Sequence, residues 1–189
     1  MGTTVLIILA ITIGLCLLIF IAIYNSLVGK KNQIANAEGS IDAMLKKRFD
    51  LIPNLVETCK VYLAHEKDIF EHLAELRQKA TRGKLDVNEI ENLNSSASKA
   101  IGNLLLMAEN YPELKSSNNF LQLQASWNET EEQIAASRRF YNAAITDYNN
   151  GIQMFPSNIV AKMFGFKERQ VFIATETEKV GISAKKLFE

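Results

Sequence analysis

The two histidines come nearest to a reactive chemistry. His65-Glu66 has the opening of a zinc-protease helix, in which a second His four residues on shares the first one's face and the Glu acts as base. Position 69 is Ile69, and the next histidine is His72. Seven residues along a helix separate the two by about 10 Å, too far for one metal ion. A di-iron bundle needs Glu three residues before each His, and those positions hold Tyr62 and Ile69. Both histidines therefore read as surface or seam residues of a helix. Cys59 falls on an apolar stripe beside Leu55 and Tyr62 and reads as a small buried hydrophobe rather than a nucleophile. The nine glycines are scattered and form no phosphate-cradling loop. The expectation is no catalytic residue, no cofactor, no metal site and no enzyme.

A second polar set is less easily dismissed. Asp50, Asn54 and Glu57 lie within two helical turns around Pro53. They suit a docking patch for another protein, or a kink whose freed carbonyls are satisfied by side chains. Arg138-Arg139 with Asn142 and Asn149 reads first as bundle ion pairs and amide networks, and second as a ligand site.

The elements that must position these groups begin with residues 5–23, VLIILAITIGLCLLIFIAI, which hold no charge and no proline. Nineteen helical residues rise about 28 Å, close to the hydrocarbon thickness of a bilayer. The start of the chain lacks the basic residues of a cleaved signal, no Ala-x-Ala follows the run, and Leu15 before Cys16 is too bulky for a lipoprotein site. A retained single span is the reading, with residues 1–4 outside the cell. Lys30, Lys31 and then Lys46 to Arg48 follow the run and place the rest of the chain in the cytoplasm. A disulfide between Cys16, in the span, and Cys59 is not expected. The whole chain has a formal charge of zero, which argues against nucleic-acid binding.

Roughly 160 residues follow the span, enough for one domain. Apolar residues recur at near-heptad spacing at Ile34, Ile41, Leu55, Tyr62, Ile69 and Leu76, interrupted once by Arg48, so a helix is predicted over about residues 25–80. The stripe keeps its phase across Pro53, which favours a kinked continuous helix; Asp50 capping a new helix, with the chain reversing there, is the alternative. A turn at Thr81 to Lys84, with Gly83 as C-cap, leads to a second helix from Val87 to Tyr111, in whose seam Asn94 is the polar exception. A third helix covers about residues 119–152, and a short amphipathic helix follows Pro156. The fold class is all-α: one N-terminal transmembrane helix continuing into an antiparallel bundle of three long helices and a short C-terminal one. The bundle domain is taken as residues 24–166 and a loosely ordered tail as residues 167–189.

Several ordered motifs lie on this scaffold. They include Lys47-Arg48-Phe49-Asp50-Leu51-Ile52-Pro53-Asn54-Leu55, Glu109-Asn110-Tyr111-Pro112-Glu113-Leu114, Asn119-Phe120-Leu121-Gln122, Tyr148-Asn149, Phe155-Pro156-Ser157-Asn158 and Gly165-Phe166. In these the chain resembles the LemA family over nearly its whole length. It departs from the family pattern at Glu38, Val61 and Trp127, where an aromatic, a glycine and a leucine are usual. The resemblance implies a single-pass protein of the bacterial inner membrane with a cytoplasmic helical domain, and it brings no established activity.

The function expected from all this is a membrane-anchored, non-catalytic scaffold or interaction protein. The alternative is a ligand- or metal-binding bundle, or an accessory subunit of a membrane protease. If the first helix runs to Ala80, the second returns too short a distance to cover residues 31–48. Ile34 and Ile41 would then need a second copy of the chain, so a homo-oligomer is expected, with a membrane-protein partner as the other candidate cover. On the same topology Phe164 and Phe166 sit far from the anchor and pack within the bundle or on a neighbouring subunit. Contact of the stretch from Phe155 to Phe166 with the membrane is the second choice.

Overall fold

The computed structural model describes residues 2–63, 65–82 and 87–171. These form helices α1 (Gly2–Lys60), α2 (Lys67–Thr81), α3 (Val87–Ala108), α4 (Pro112–Lys115), α5 (Asn118–Gln153) and α6 (Ser157–Met163), with no strand among the described residues. Gly83 and the stretch from residue 172 onward lie outside the described residues.

The helix α1 is continuous through Pro53. Proline has no N–H to give to the carbonyl four residues back, and its ring crowds that carbonyl, at a cost of about 3 kcal/mol in a helix interior. Phe49, Ile52 and Leu55 are buried on either side of it, and burial of three such side chains, at about 2 kcal/mol each, outweighs that cost. The helix ends at Lys60, not near Ala80. The N–H groups of Tyr62 and Leu63 both donate to the Cys59 carbonyl, at 3.0 and 2.8 Å, and the chain turns at residues 61, 62 and 65. Leu63, off the predicted stripe, is buried, while Tyr62, on it, is only half-buried. Val56 and Ala74 line one shallow crevice, so α2 lies back along the end of α1. The predicted long helix is thus two helices and a reversal.

The helix α2 packs on α3 through Phe70, Leu73 and Leu76, which are buried, as are Ala97, Ala100, Ile101 and Leu104 of α3. The second helix ends at Ala108, three residues before Tyr111, and Pro112 opens the one-turn α4 at a position where its missing N–H has no partner to lose. The helix α5 buries Phe120, Trp127, Ile134, Tyr141 and Tyr148 at regular seven-residue spacing.

Two compact units result. The described residues of 2–35 and 141–171 make the first, and those of 36–140 the second. In the first unit α1 lies against α5 through Leu27 and Lys30. A Cβ on Gly151 would stand 3.2 and 3.1 Å from these two side chains, so glycine permits the approach. Lys30 pairs with Asp147. In the second unit Ser40 meets Ser137 at 3.3 Å, and Lys47 reaches Gln133 at 3.3 Å.

Candidate functional site

Residues 5–23 are the first feature with a functional meaning. Their apolar side chains stand exposed around α1 except the half-buried Phe20 and Ile23, and none of the most apolar stretch is buried by the fold. Thr12, the polar exception, returns its hydroxyl to the Ile8 carbonyl at 2.9 Å, as a helix in hydrocarbon requires. Among the described residues, α1 alone is long and apolar enough to cross a membrane.

The end of this run organises the first unit. Tyr24 follows the last apolar residue, and its ring lies 4.6 Å from that of Phe164 and 6.1 Å from that of Phe166. Phe164 is also 6.0 Å from Phe20, inside the run. The placement of both aromatics at the anchor overturns the expectation that they sit far from it. Gly165 explains the local geometry. Its φ of 69° is open to glycine and strained for other residues. It lets Phe166 N–H reach the Ala161 carbonyl at 3.0 Å and Gly165 N–H the Lys162 carbonyl at 3.4 Å, closing α6 as a Schellman cap. The cap turns Phe166 toward Tyr24 and toward Tyr148, 6.5 Å away. Around the same corner Met154, Phe155, Ile159 and Met163 are exposed, Phe155 at 80%.

The first residues of the expected tail, Lys167 to Arg169, are held by side chains of α5, and the rest of it from residue 172 lies outside the described residues. Tyr148 donates its hydroxyl to the Lys167 carbonyl at 2.9 Å. Asn149 brackets Arg169, giving its amide to the Arg169 carbonyl at 2.8 Å and accepting from the Arg169 N–H at 3.0 Å. Gln153 donates to Glu168 at 2.7 Å. Burial pushes the Tyr148 phenol above its ordinary pKa, against the opposing pull of the Arg169 charge.

In the second unit the polar patch around Pro53 is partly assembled. Asn54 and Glu57 are exposed and line a groove of about 400 Å³ together with Thr58, Asn119, Gln122 and Ser126. Asp50 is exposed outside that lining, and Pro53 is half-buried. Ile34 and Ile41, placed in the site as a face awaiting a second copy, are each 3% exposed. Their cover comes from the chain itself, so the case for a homo-oligomer drawn from that stripe falls away.

A further constellation joins residues that sequence reasoning left apart. Arg48 is 0% exposed. Its guanidinium pairs with Glu131, donates to Asn94 Oδ1, reaches Ser98 Oγ at 2.9 Å, and lies 4.1 Å from the centre of the Trp127 ring. Burial lowers the Arg48 pKa, and Glu131 opposes that by charge and hydrogen bond. The two polar interruptions of the apolar stripes, Arg48 and Asn94, are thus one contact. His65 and His72 are both exposed, and the described residues contain no group of three or more His, Cys, Asp or Glu placed to hold a metal.

Among the described residues these features define a class, an all-helical protein with one helix fit to cross a membrane, consistent with a membrane-anchored protein. Residues 37–183 match the model of the LemA family, and the chain belongs to that family. It is 28% identical over 177 residues to Protein LemA of Metamycoplasma hominis, covering 94% of this chain and 81% of that one. It is 26% identical over 191 residues to Magnetosome protein MamQ 2 of Paramagnetospirillum magneticum, covering 88% and 70%. It is also 26% identical over 174 residues to Magnetosome protein MamQ of Magnetospirillum gryphiswaldense, covering 79% and 64%.

Proposed function

We infer that this chain is a non-catalytic interaction protein held in a bacterial inner membrane by residues 5–23, with its N-terminus outside and its helical units in the cytoplasm. The observation that carries the reading is the continuity of α1. The helix that bears the exposed apolar run goes on, without a break, to bear the buried Leu27, Ile34 and Ile41. An anchor built into the core in this way holds the first unit rigidly at the bilayer, as a scaffold requires. The basic residues after the span favour the cytoplasmic side. Neither LemA nor MamQ is the name of an enzyme, which supports the non-catalytic reading. The corner of α5 and α6 rests on the same leaflet as the anchor, its exposed Met154, Phe155, Ile159 and Met163 at the level of Tyr24. The groove at Asn54 and Glu57 takes a segment of a membrane-protein partner, its amides and carboxylate suited to backbone groups of an extended chain.

The test is in-cell photo-crosslinking from Glu57 and Gln122, with a reporter fused after Glu189. A discrete protein adduct from both positions and reporter activity on the cytoplasmic side are expected. Periplasmic reporter activity overturns the orientation, and absence of any adduct from the groove overturns the docking role.

A further inference from the structure

The first unit holds a cavity of about 650 Å³ whose lining has a pattern the docking reading does not use. The lining brings the rings of Tyr24, Phe164 and Phe166 together with the cationic side chains of Lys31, Lys167 and Arg169. Glu168 is the one carboxylate in the lining, and it accepts from Gln153. Among the described residues no carboxylate lies within ion-pair distance of Lys31, Lys167 or Arg169. By contrast, the neighbouring Lys30 is neutralised by Asp147. The imbalance extends through the unit. Residues 2–35 and 141–171 carry five cationic side chains against two carboxylates, in a chain whose formal charge is zero.

Position along α1 gives these charges a partner. Tyr24 is the first residue after the apolar run, where an interfacial aromatic sits. Lys31 is two turns further on, about 10 Å above it, and the polar headgroup layer of one leaflet is about 5–8 Å deep. The cavity therefore spans the headgroup layer, from Tyr24 at the edge of the hydrocarbon to Lys31 at the height of the phosphates. The backbone of Lys167 and Arg169 is fixed by Tyr148 and Asn149 at 2.8–3.0 Å. Two of the three cations are thereby mounted on a fastened segment rather than on a free one, which lowers the entropy lost on binding. A guanidinium and two ammonium groups suit a phosphodiester, the guanidinium as a planar fork and the ammonium groups as point charges. A soluble phosphate would have no use for the rings of Phe164 and Phe166; glycerol and the first acyl carbons would.

We propose that this cavity is a binding site for the headgroup of an anionic phospholipid, with Lys31, Lys167 and Arg169 on the phosphate and Tyr24, Phe164 and Phe166 on the glycerol and upper acyl chain. The site rests on the reading of residues 5–23 as a membrane span, and the experiment separates the two. The full chain is reconstituted into nanodiscs of phosphatidylcholine alone and into discs containing phosphatidylglycerol, and retained lipid is measured by native mass spectrometry after release into mild detergent. Failure to enter either disc would count against the span itself. Entry into both, with phosphatidylglycerol retained over phosphatidylcholine by at least about tenfold, is the expected result. Lys31→Gln and Arg169→Gln should each weaken that retention about fivefold, the effect of one cation near an anionic surface. Lys162→Gln, exposed on α6 outside the cavity lining, should leave it unchanged. Equal retention of the two lipids overturns the proposal. So does an equal loss from Lys162→Gln, which would show general surface attraction. Displacement of phosphatidylglycerol by millimolar glycerol phosphate or inorganic phosphate would assign the cavity to a soluble phosphate instead, and also overturns it.

Discussion

Two cation–aromatic clusters, one in each unit, are built from the same residue types to opposite ends. In the second unit Arg48 is wholly enclosed, stacked near Trp127 and met by Glu131, Asn94 and Ser98. In the first, Lys31, Lys167 and Arg169 border an open cavity beside Tyr24 and Phe166 with no carboxylate paired to them among the described residues. A buried charge is tolerable when it is paired and most of its donors are bonded inside the fold, and both terminal nitrogens of Arg48 are so bonded while its Nε is not, so the closed cluster belongs to the architecture. A cluster with no carboxylate paired to it among the described residues leaves its donors for the proposed ligand. Satisfaction of the cation, more than residue type, separates the two roles.

That contrast breaks first at Arg48. Arg48→Ala removes a stacked, fully buried side chain and strands the buried Asn94, and should lower unfolding stability by about 4 kcal/mol. Thermal or urea unfolding of the full chain in mild detergent checks this, and a loss under about 1 kcal/mol would show that the cluster is not part of the core. The pH dependence gives the next largest effect. Burial lifts the Cys59 thiol to about 11 from its ordinary 9.0. The unfolded chain therefore loses this proton first, so stability should fall as pH rises from about 9 and level off above about 11, by up to about 3 kcal/mol. Cys59→Ala should flatten that decline. A smaller effect is expected for Glu131→Gln, because the Glu131 side chain is 48% exposed and water replaces part of what it gives; a loss of about 1–2 kcal/mol is expected. The smallest is the sharpest discriminator. Lys31→Gln and Arg169→Gln should change unfolding stability by less than about 0.5 kcal/mol while acting on lipid retention.

The sequence carried much of this fold but lost one reversal. Residues 5–23, the persistence of α1 through Pro53, and the bounds of α5 to within a residue or two all follow from apolar spacing. The turn between α1 and α2 does not, because Ile69, Leu73 and Leu76 continue the stripe in phase and neither glycine nor proline marks the break. A single missed reversal inverts every helix after it. For that reason Phe164 was expected far from Tyr24, and Ile34 and Ile41 were expected bare when α1 and α5 lie side by side. Arg48 and Asn94 were visible as the two polar exceptions on separate stripes, and two exceptions that each need a partner were the available sign that they meet. Trp127, a departure from the family pattern, gains its reason only beside Arg48. Nothing in the spacing of Lys31, Lys167 and Arg169 links them, since their meeting depends on the Gly165 turn and on Asn149.

The reading of the first unit as a membrane-seated platform is tested most directly by spin-label depth measurements on the full chain in nanodiscs, with labels placed in turn at Phe155, Phe164 and Glu57. The account predicts that labels at Phe155 and Phe164 collide more with oxygen, which partitions into lipid, than with a water-soluble nickel chelate, and that a label at Glu57 does the reverse. Labels at Phe155 and Phe164 that behave like the one at Glu57 would contradict it.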